Sequence, residues 1–250
     1  MRCMTAISRR VSETRPSAAK RASTREHGVP RMSTLARACA GLVTAGFVAA
    51  AGAVPVTPEE LATLCASVED ASHCARVVEG EQLKRLPNLA TRDGLSLRVS
   101  LYPSGSTTFS DVEAFAGARS HSLWDYLSTI NAVVLYTTVD DVVSFTLLQR
   151  ANGRRVELPA EPKVAPDRQR LVTADFCATR CSNELAVWRI TPEGITREIV
   201  WKPAEAWADA VATWKDAETL RVEYTATGAA GPQTLERRLS DPGWTRAGGR

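Results

Sequence analysis

The stretch Leu95-Ser96-Leu97-Arg98-Val99-Ser100-Leu101 alternates apolar and polar residues without a break. A period of two puts Leu95, Leu97, Val99 and Leu101 on one face, as in a half-buried strand. Pro103-Ser104-Gly105 supplies a turn, and Thr107-Thr108-Phe109 a returning strand. Strand-like runs continue at Ala132–Thr137, Val142–Leu148, Arg155–Leu158, Leu171–Asp175, Leu185–Ile190, Ile195–Trp201, Thr219–Thr225 and Leu235–Leu239. Asn152-Gly153 between two of these runs is a hairpin signal. Short strands with regular turns predict a mainly β, antiparallel domain over residues 89–250.

Residues 54–88 follow a different rule. Thr57-Pro58-Glu59-Glu60-Leu61 is a helix start, with Thr as N-cap, Pro at the first helical position and acids in the first turn. Leu61, Leu64 and Val68 follow at helical spacing. A second helical stretch covers Cys74 to Val78, with Glu81 to Leu86 as a continuation that ends at Pro87. The expectation is a short N-terminal helical pair whose wet face carries Glu59, Glu60, Glu69 and Asp70.

Further upstream, Met32 and Arg37 precede an uncharged run from Ala38 that closes on Ala51-Gly52-Ala53. Positive flank, short apolar run and small closing residues are the parts of an export signal. Residues 32–53 are therefore read as a signal peptide with cleavage after Ala53. Its Ala and Gly content leaves no stable membrane span. Residues 1–31, with eight Lys or Arg and two Asp or Glu, are read as a non-native or disordered extension, Met32 being the initiator.

Removing these segments reverses the charge. The full chain is formally +3, whereas Val54 onward holds 22 Lys plus Arg against 26 Asp plus Glu. No basic stripe with interleaved aromatics remains, so nucleic acid is not an expected partner. Four cysteines also remain: Cys65, Cys74, Cys177 and Cys181. Of three possible pairings, the local one, 65 with 74 and 177 with 181, suits the short separations. Such loops contribute about 2–3 kcal/mol each on a chain-entropy estimate. A four-cysteine zinc site would need closer spacing in the first pair, and an oxidising compartment favours disulfides. No metal site and no cofactor are expected.

A weak repeat links two parts of the β region. Pro166-Asp167 leads to Leu171, and Asp216 leads to Leu220, in each case with Asp four residues before Leu. The Asp opens a turn by accepting backbone N–H groups, and the Leu begins the inward face of the next strand. These stretches resemble the Pro-Asp-Gly repeats of TolB-like β-propellers over Val142 to Thr225, with Arg168 and Ala217 standing where such repeats carry Gly. A closed propeller needs at least four blades of about 40 residues, which residues 89–248 barely supply. The resemblance thus implies propeller-like or incomplete-propeller sheets. The longer layout also resembles a family of uncharacterised exported bacterial proteins. Its marks are a hairpin like Leu97–Asp111, a stretch like Tyr126–Asn131, then Gly153–Leu158, the Pro166-Asp167 turn and a strand like Trp188–Ile190. That likeness implies export and a β fold, and no activity.

Catalytic motifs are thin. There is no His-Glu-x-x-His, Gly-x-Ser-x-Gly or phosphate loop. Ser120-His121-Ser122 with Asp125 offers triad residue types, but triads are assembled from separated elements, and His121 is expected in a loop. His73 adjoins Cys74, whose thiol a disulfide would remove. Asp140-Asp141 cannot share a proton if that segment is extended, since neighbours on a strand point to opposite faces. No catalytic residue is assigned. The leading expectation is a periplasmic or secreted interaction or structural module of the cell envelope, with an envelope protein or a small ligand as partner. The alternatives are a periplasmic hydrolase, or a small-ligand or glycan binder that uses Trp188, Trp201, Trp207 and Trp214 in the segment 188–214. N-terminal sequencing of the exported protein should find a start at or within a few residues of Val54; a start at Arg2 or Ser33 would refute the processing scheme.

Overall fold

The computed structural model describes residues 54–247; the expected extension 1–31 and signal peptide 32–53 lie outside the described residues. Helix α1 (Pro58–Cys65) starts as the sequence predicts, and more completely. Thr57 Oγ1 accepts from the Glu60 N–H at 3.3 Å, and Glu60 Oε2 accepts from the Thr57 N–H at 2.9 Å. This reciprocal pair is a capping box. Helix α2 (Ala71–Arg85) is the second helical stretch with its continuation, and starts three residues earlier than expected. Asp70, assigned to the wet face, is its N-cap and accepts from the Ser72 N–H at 2.8 Å. Glu60 is likewise engaged: Arg85 donates to both its oxygens at 2.8 and 3.1 Å and, with the Thr57 N–H, pulls its carboxyl down to about 2. Cys65–Cys74 joins the two helices and Cys177–Cys181 closes a later loop, with Cα separations of 5.3 and 5.4 Å.

Four antiparallel sheets follow. The first is β1 (Ala90–Asp93), β2 (Ser96–Ser100) and β3 (Ser106–Ser110). The second is β4 (Arg119–Leu127), β5 (Ala132–Val139), β6 (Val142–Gln149) and β7 (Arg155–Leu158). The third is β8 (Lys163–Val164), β9 (Arg170–Asp175), β10 (Glu184–Thr191) and β11 (Gly194–Trp201). The fourth is β12 (Trp207–Trp214), β13 (Thr219–Ala226) and β14 (Gln233–Arg238). A last strand, β15 (Thr245–Arg246), returns past the fourth sheet to pair with β11. Each sheet is an up-and-down run of consecutive strands, and the sheets form an incomplete, propeller-like stack without a closed barrel.

Three hydrophobic cores lie between successive sheets, and their membership explains the strand patterns. In β5, Val133 and Leu135 face the first sheet, while Val134 and Tyr136 face the third. In β10, Ala186 and Trp188 face the second sheet, while Leu185 and Val187 face the fourth. Strands covered on both faces lose alternation and read as continuous apolar runs. The end sheets keep it: Leu97 and Val99 are buried and Arg98 is exposed, Leu220 and Val222 are buried and Arg221 is exposed.

The repeated Asp does what its position suggests. Asp167 accepts from the Gln169 N–H at 3.0 Å and Asp216 from the Glu218 N–H at 2.8 Å. Leu171 and Leu220, four residues on, are fully buried, each against the preceding sheet. Arg168, in the Gly position of the repeat, has a φ of 62° and so adopts the left-handed conformation that Gly takes without penalty. Asn152-Gly153 forms the expected hairpin, with Gly153 at φ 71°.

Five strands escaped the sequence reading: the short β1, β8 and β15, and the long β4 and β12. β4 carries a bulge between Leu123 and Asp125, which breaks its alternation. β12 has a similar irregularity between Trp207 and Asp209, and its buried residues include Ala210 and Ala212, poor strand formers by propensity. Leu171→Ala should cost about 2–5 kcal/mol of stability, and Arg98→Ala no more than about 0.5 kcal/mol; urea denaturation of both variants checks the assignment of inner and outer positions.

Candidate functional site

The outer edge of β4 has no neighbouring strand. An uncovered edge leaves backbone donors and acceptors unpaired, and here charged side chains meet them. Asp111 Oδ1 accepts from the His121 N–H at 2.8 Å, and Glu79 Oε2 accepts from the Leu123 N–H at 2.8 Å. The His121 carbonyl accepts from Arg76 Nη1 at 2.9 Å and also from Arg92 Nη2. Further along, Gln82 Nε2 donates to the Trp124 carbonyl at 2.9 Å, while its Oε1 accepts from the Val56 N–H at 3.2 Å.

The four charged residues also bind one another. Arg92 reaches Glu79 through Nε at 2.5 Å and Nη2 at 2.9 Å, and Asp111 through Nη1 at 3.0 Å. Arg76 reaches Asp111 Oδ2 at 2.5 Å and Glu79 Oε1 at 3.3 Å. Two acids and two bases make the group neutral. The Glu79 and Asp111 side chains are only 4% and 5% exposed, so each depends on these partners to be buried without loss. Helix α2, strand β1, the β3–β4 link and β4 are thereby tied at one point. None of these four residues was singled out from sequence. Their one legible trace is the i, i+3 spacing of Arg76 and Glu79 on a helix.

His121 was expected in a loop; it lies within β4 and is 9% exposed. Its ring packs against Phe109 at 5.4 Å between centroids. Nδ1 makes no hydrogen bond and lies 3.5 Å from Asp111 Oδ1. Burial lowers the His121 pKa, against the opposing pull of Asp111. Strand alternation turns Ser120 and Ser122 to the face opposite His121, and Ser120 Oγ is bonded to Thr138 Oγ1 at 2.6 Å. Asp125, beyond the bulge, bonds the Tyr126 N–H at 2.7 Å, and burial raises its carboxyl. The triad residue types therefore do not converge. Asp140 and Asp141 are not extended: at φ 46° and 64° they form the two-residue β5–β6 turn. His73 is exposed on α2 beside the disulfide-bonded Cys74.

The four tryptophans of segment 188–214 are packing residues to different degrees. Trp207 is 2% exposed, stacked on Tyr224 at 4.0 Å and close to Phe176 and Trp201. Trp188 is buried and donates to Thr173 Oγ1 at 3.1 Å. Trp214 is half-buried and donates to the Lys163 carbonyl at 2.8 Å, and Trp201, also half-buried, lies under the Arg237 guanidinium at 4.2 Å. Among the described residues, no group of acids, His or Cys has metal-binding geometry.

An open cleft of about 320 Å³ adjoins the charge cluster, lined by Arg76 and Asp111 on one side and by Leu95, Val112, Arg119 and Thr138 around them. Its lining includes the exposed apolar residues Leu95 and Val112. Phe115 and Val142, close in the chain to the lining residues Ala114 and Asp141, are exposed as well. Phe115, at the tip of the β3–β4 loop, is 109% exposed. No protein-family model matches this chain, and no curated protein matches it significantly.

Glu79→Ala should cost about 1–3 kcal/mol, because it leaves the buried Leu123 N–H unpaired and takes one carboxylate from two part-buried guanidiniums that keep Asp111; urea denaturation measures it. A second expectation concerns pH. A histidine whose folded pKa lies below its unfolded value of about 6.5 is held neutral by the fold. Its contribution is complete above that value and is lost as pH falls, because only the unfolded chain takes up the proton. Urea midpoints at pH 7.5 and 5.5 should show a loss on acidification that is smaller in His121→Phe.

Proposed function

We propose that this protein is an interaction module of the cell envelope or the secreted space, acting through the apolar end of its first two sheets. The observation that carries this reading is the exposed set around Phe115. Large apolar side chains gathered at one place on an otherwise polar surface mark a binding face. The chemistry near it agrees, because Arg76, Glu79, Arg92 and Asp111 are consumed by one another and by the β4 edge. The two disulfides fit a protein that works outside the reducing cytoplasm. The export signal read in residues 32–53 makes the periplasm or the exterior the proposed location. No helix among the described residues is long and apolar enough to cross a membrane. We also propose that the third and fourth sheets are related to TolB-like blades, on the strength of their matching Asp turns.

A photocrosslinking residue at position 115, with capture from the native envelope and identification by mass spectrometry, tests the function. The expected result is one or a few defined adducts absent when the probe is placed at Arg98, on the polar face of the first sheet. Equal capture from both positions would overturn the reading.

A further inference from the structure

We propose that the face around Phe115 docks a cationic amphipathic segment of a partner protein; this rests on the interaction-module reading and specifies its ligand. Of the eight exposed large apolar residues among those described, four, Leu95, Val112, Phe115 and Val142, lie at this end, whereas Val143, next to Val142 in β6, turns to the opposite face of its sheet. Backbone contacts bring them together. The Asp111 N–H donates to the Leu95 carbonyl at 2.8 Å, so Leu95 and Val112 are neighbours. Val112 and Arg119 exchange backbone hydrogen bonds at 2.8 and 2.9 Å, closing the loop that carries Phe115. The carboxylate of Asp140 accepts from the Gly117 and Ala118 N–H groups at 2.7 and 3.0 Å. This holds the loop against the β5–β6 turn, next to Val142.

The tip is therefore an aromatic anchor on a loop fastened at both ends. Prior fastening lowers the ordering cost of binding, and exposed aromatic anchors dominate interface energetics. The charges around the anchor choose the partner. Asp93, Glu113, Asp140 and Asp141 are exposed here, and none has a basic residue within ion-pairing distance. Arg119 and Arg155 are exposed bases without an acidic partner near them, whereas Arg76 in the cleft is held by Asp111 and Glu79. The rim thus carries a net negative charge around an apolar centre. Such a rim attracts Lys- and Arg-flanked apolar segments and repels acidic ones and anionic lipid.

Two helix-forming peptides of equal length test this, one of Leu and Lys and one of Leu and Glu, titrated into the disulfide-bonded protein from Val54 onward. Amide chemical shifts locate binding. The Leu/Lys peptide should bind at least tenfold more tightly than the Leu/Glu peptide, with shifts at residues 95, 112–119 and 140–142. Raising salt from 0.15 to 0.5 M should weaken it. Phe115→Ser should lower affinity about tenfold with the circular dichroism spectrum unchanged. Glu113→Lys with Asp141→Lys should reverse the preference between peptides, and Glu157→Lys on β7 should not. Equal affinity for the two peptides, shifts centred elsewhere, or binding to phosphatidylglycerol vesicles in place of either peptide would overturn the proposal. Defined crosslinks from position 115 alongside equal peptide affinities would remove the cationic partner while leaving the interaction module standing.

Discussion

The edge of β4 is the constraint around which the first half of the molecule is arranged. A strand at a sheet edge must have its N–H and C=O groups met by water, by another strand or by side chains. Here Glu79 and Asp111 meet two donors, and Arg76 and Arg92 meet an acceptor between them. This forces α2 to lie along the edge, and it brings β1 and the β3–β4 link to the same place. Cys65–Cys74 then fixes α1 to a helix that is already placed. The charged residues are bound more by the backbone they satisfy than by hydrophobic burial. Their removal from solvent is tolerated because every charge has at least two partners.

Covering an edge with side chains also has a negative purpose. A second molecule cannot add a strand to β4 while α2 occupies it, so edge-to-edge association is blocked on that side. The first and fourth sheets manage their exposed surfaces differently, with Arg98 outside β2 and with Arg221 and Glu223 outside β13. Among the described residues, exposed large apolar side chains are most numerous towards the Phe115 end, which is why that end is proposed to meet a partner.

The architecture was legible where one rule acted at a time. Leu97 and Val99 alternated with polar neighbours because the first sheet is covered on one face, although Leu95, expected on the same face, is exposed at the β1–β2 turn, and the turn at Asn152-Gly153 needed no tertiary context. Thr57-Pro58 marked the first helix for purely local reasons. Elsewhere two rules interfered. His121 looked like part of a polar loop because its β4 neighbours Arg119, Ser120 and Ser122 are polar on both faces, and the bulge after Leu123 hid the alternation that follows. Small Ala210 and Ala212 in β12 reflect close packing against the third sheet, which a propensity scale cannot foresee. The charge cluster was illegible because its members, from Arg76 to Asp111, meet only after α2 and the first sheet have docked. Tryptophan number was visible, but whether a ring faces water or Tyr224 depends on the neighbouring strand.

The short strand β15 couples the two sheets of the C-terminal half. β11 lies before the fourth sheet in the chain and β15 after it, yet the two are hydrogen-bonded neighbours. The whole β12–β14 run is thus a loop closed by the third sheet. Closing a loop of that length costs entropy that contacts within the run must offset. The pairing of β15 with β11 is therefore favourable only together with the contacts within that run. Once β15 is paired, the fourth sheet cannot peel away from the third without also releasing that last strand. Thr245 and Arg246 act as a latch, and the two sheets behave as one cooperative unit.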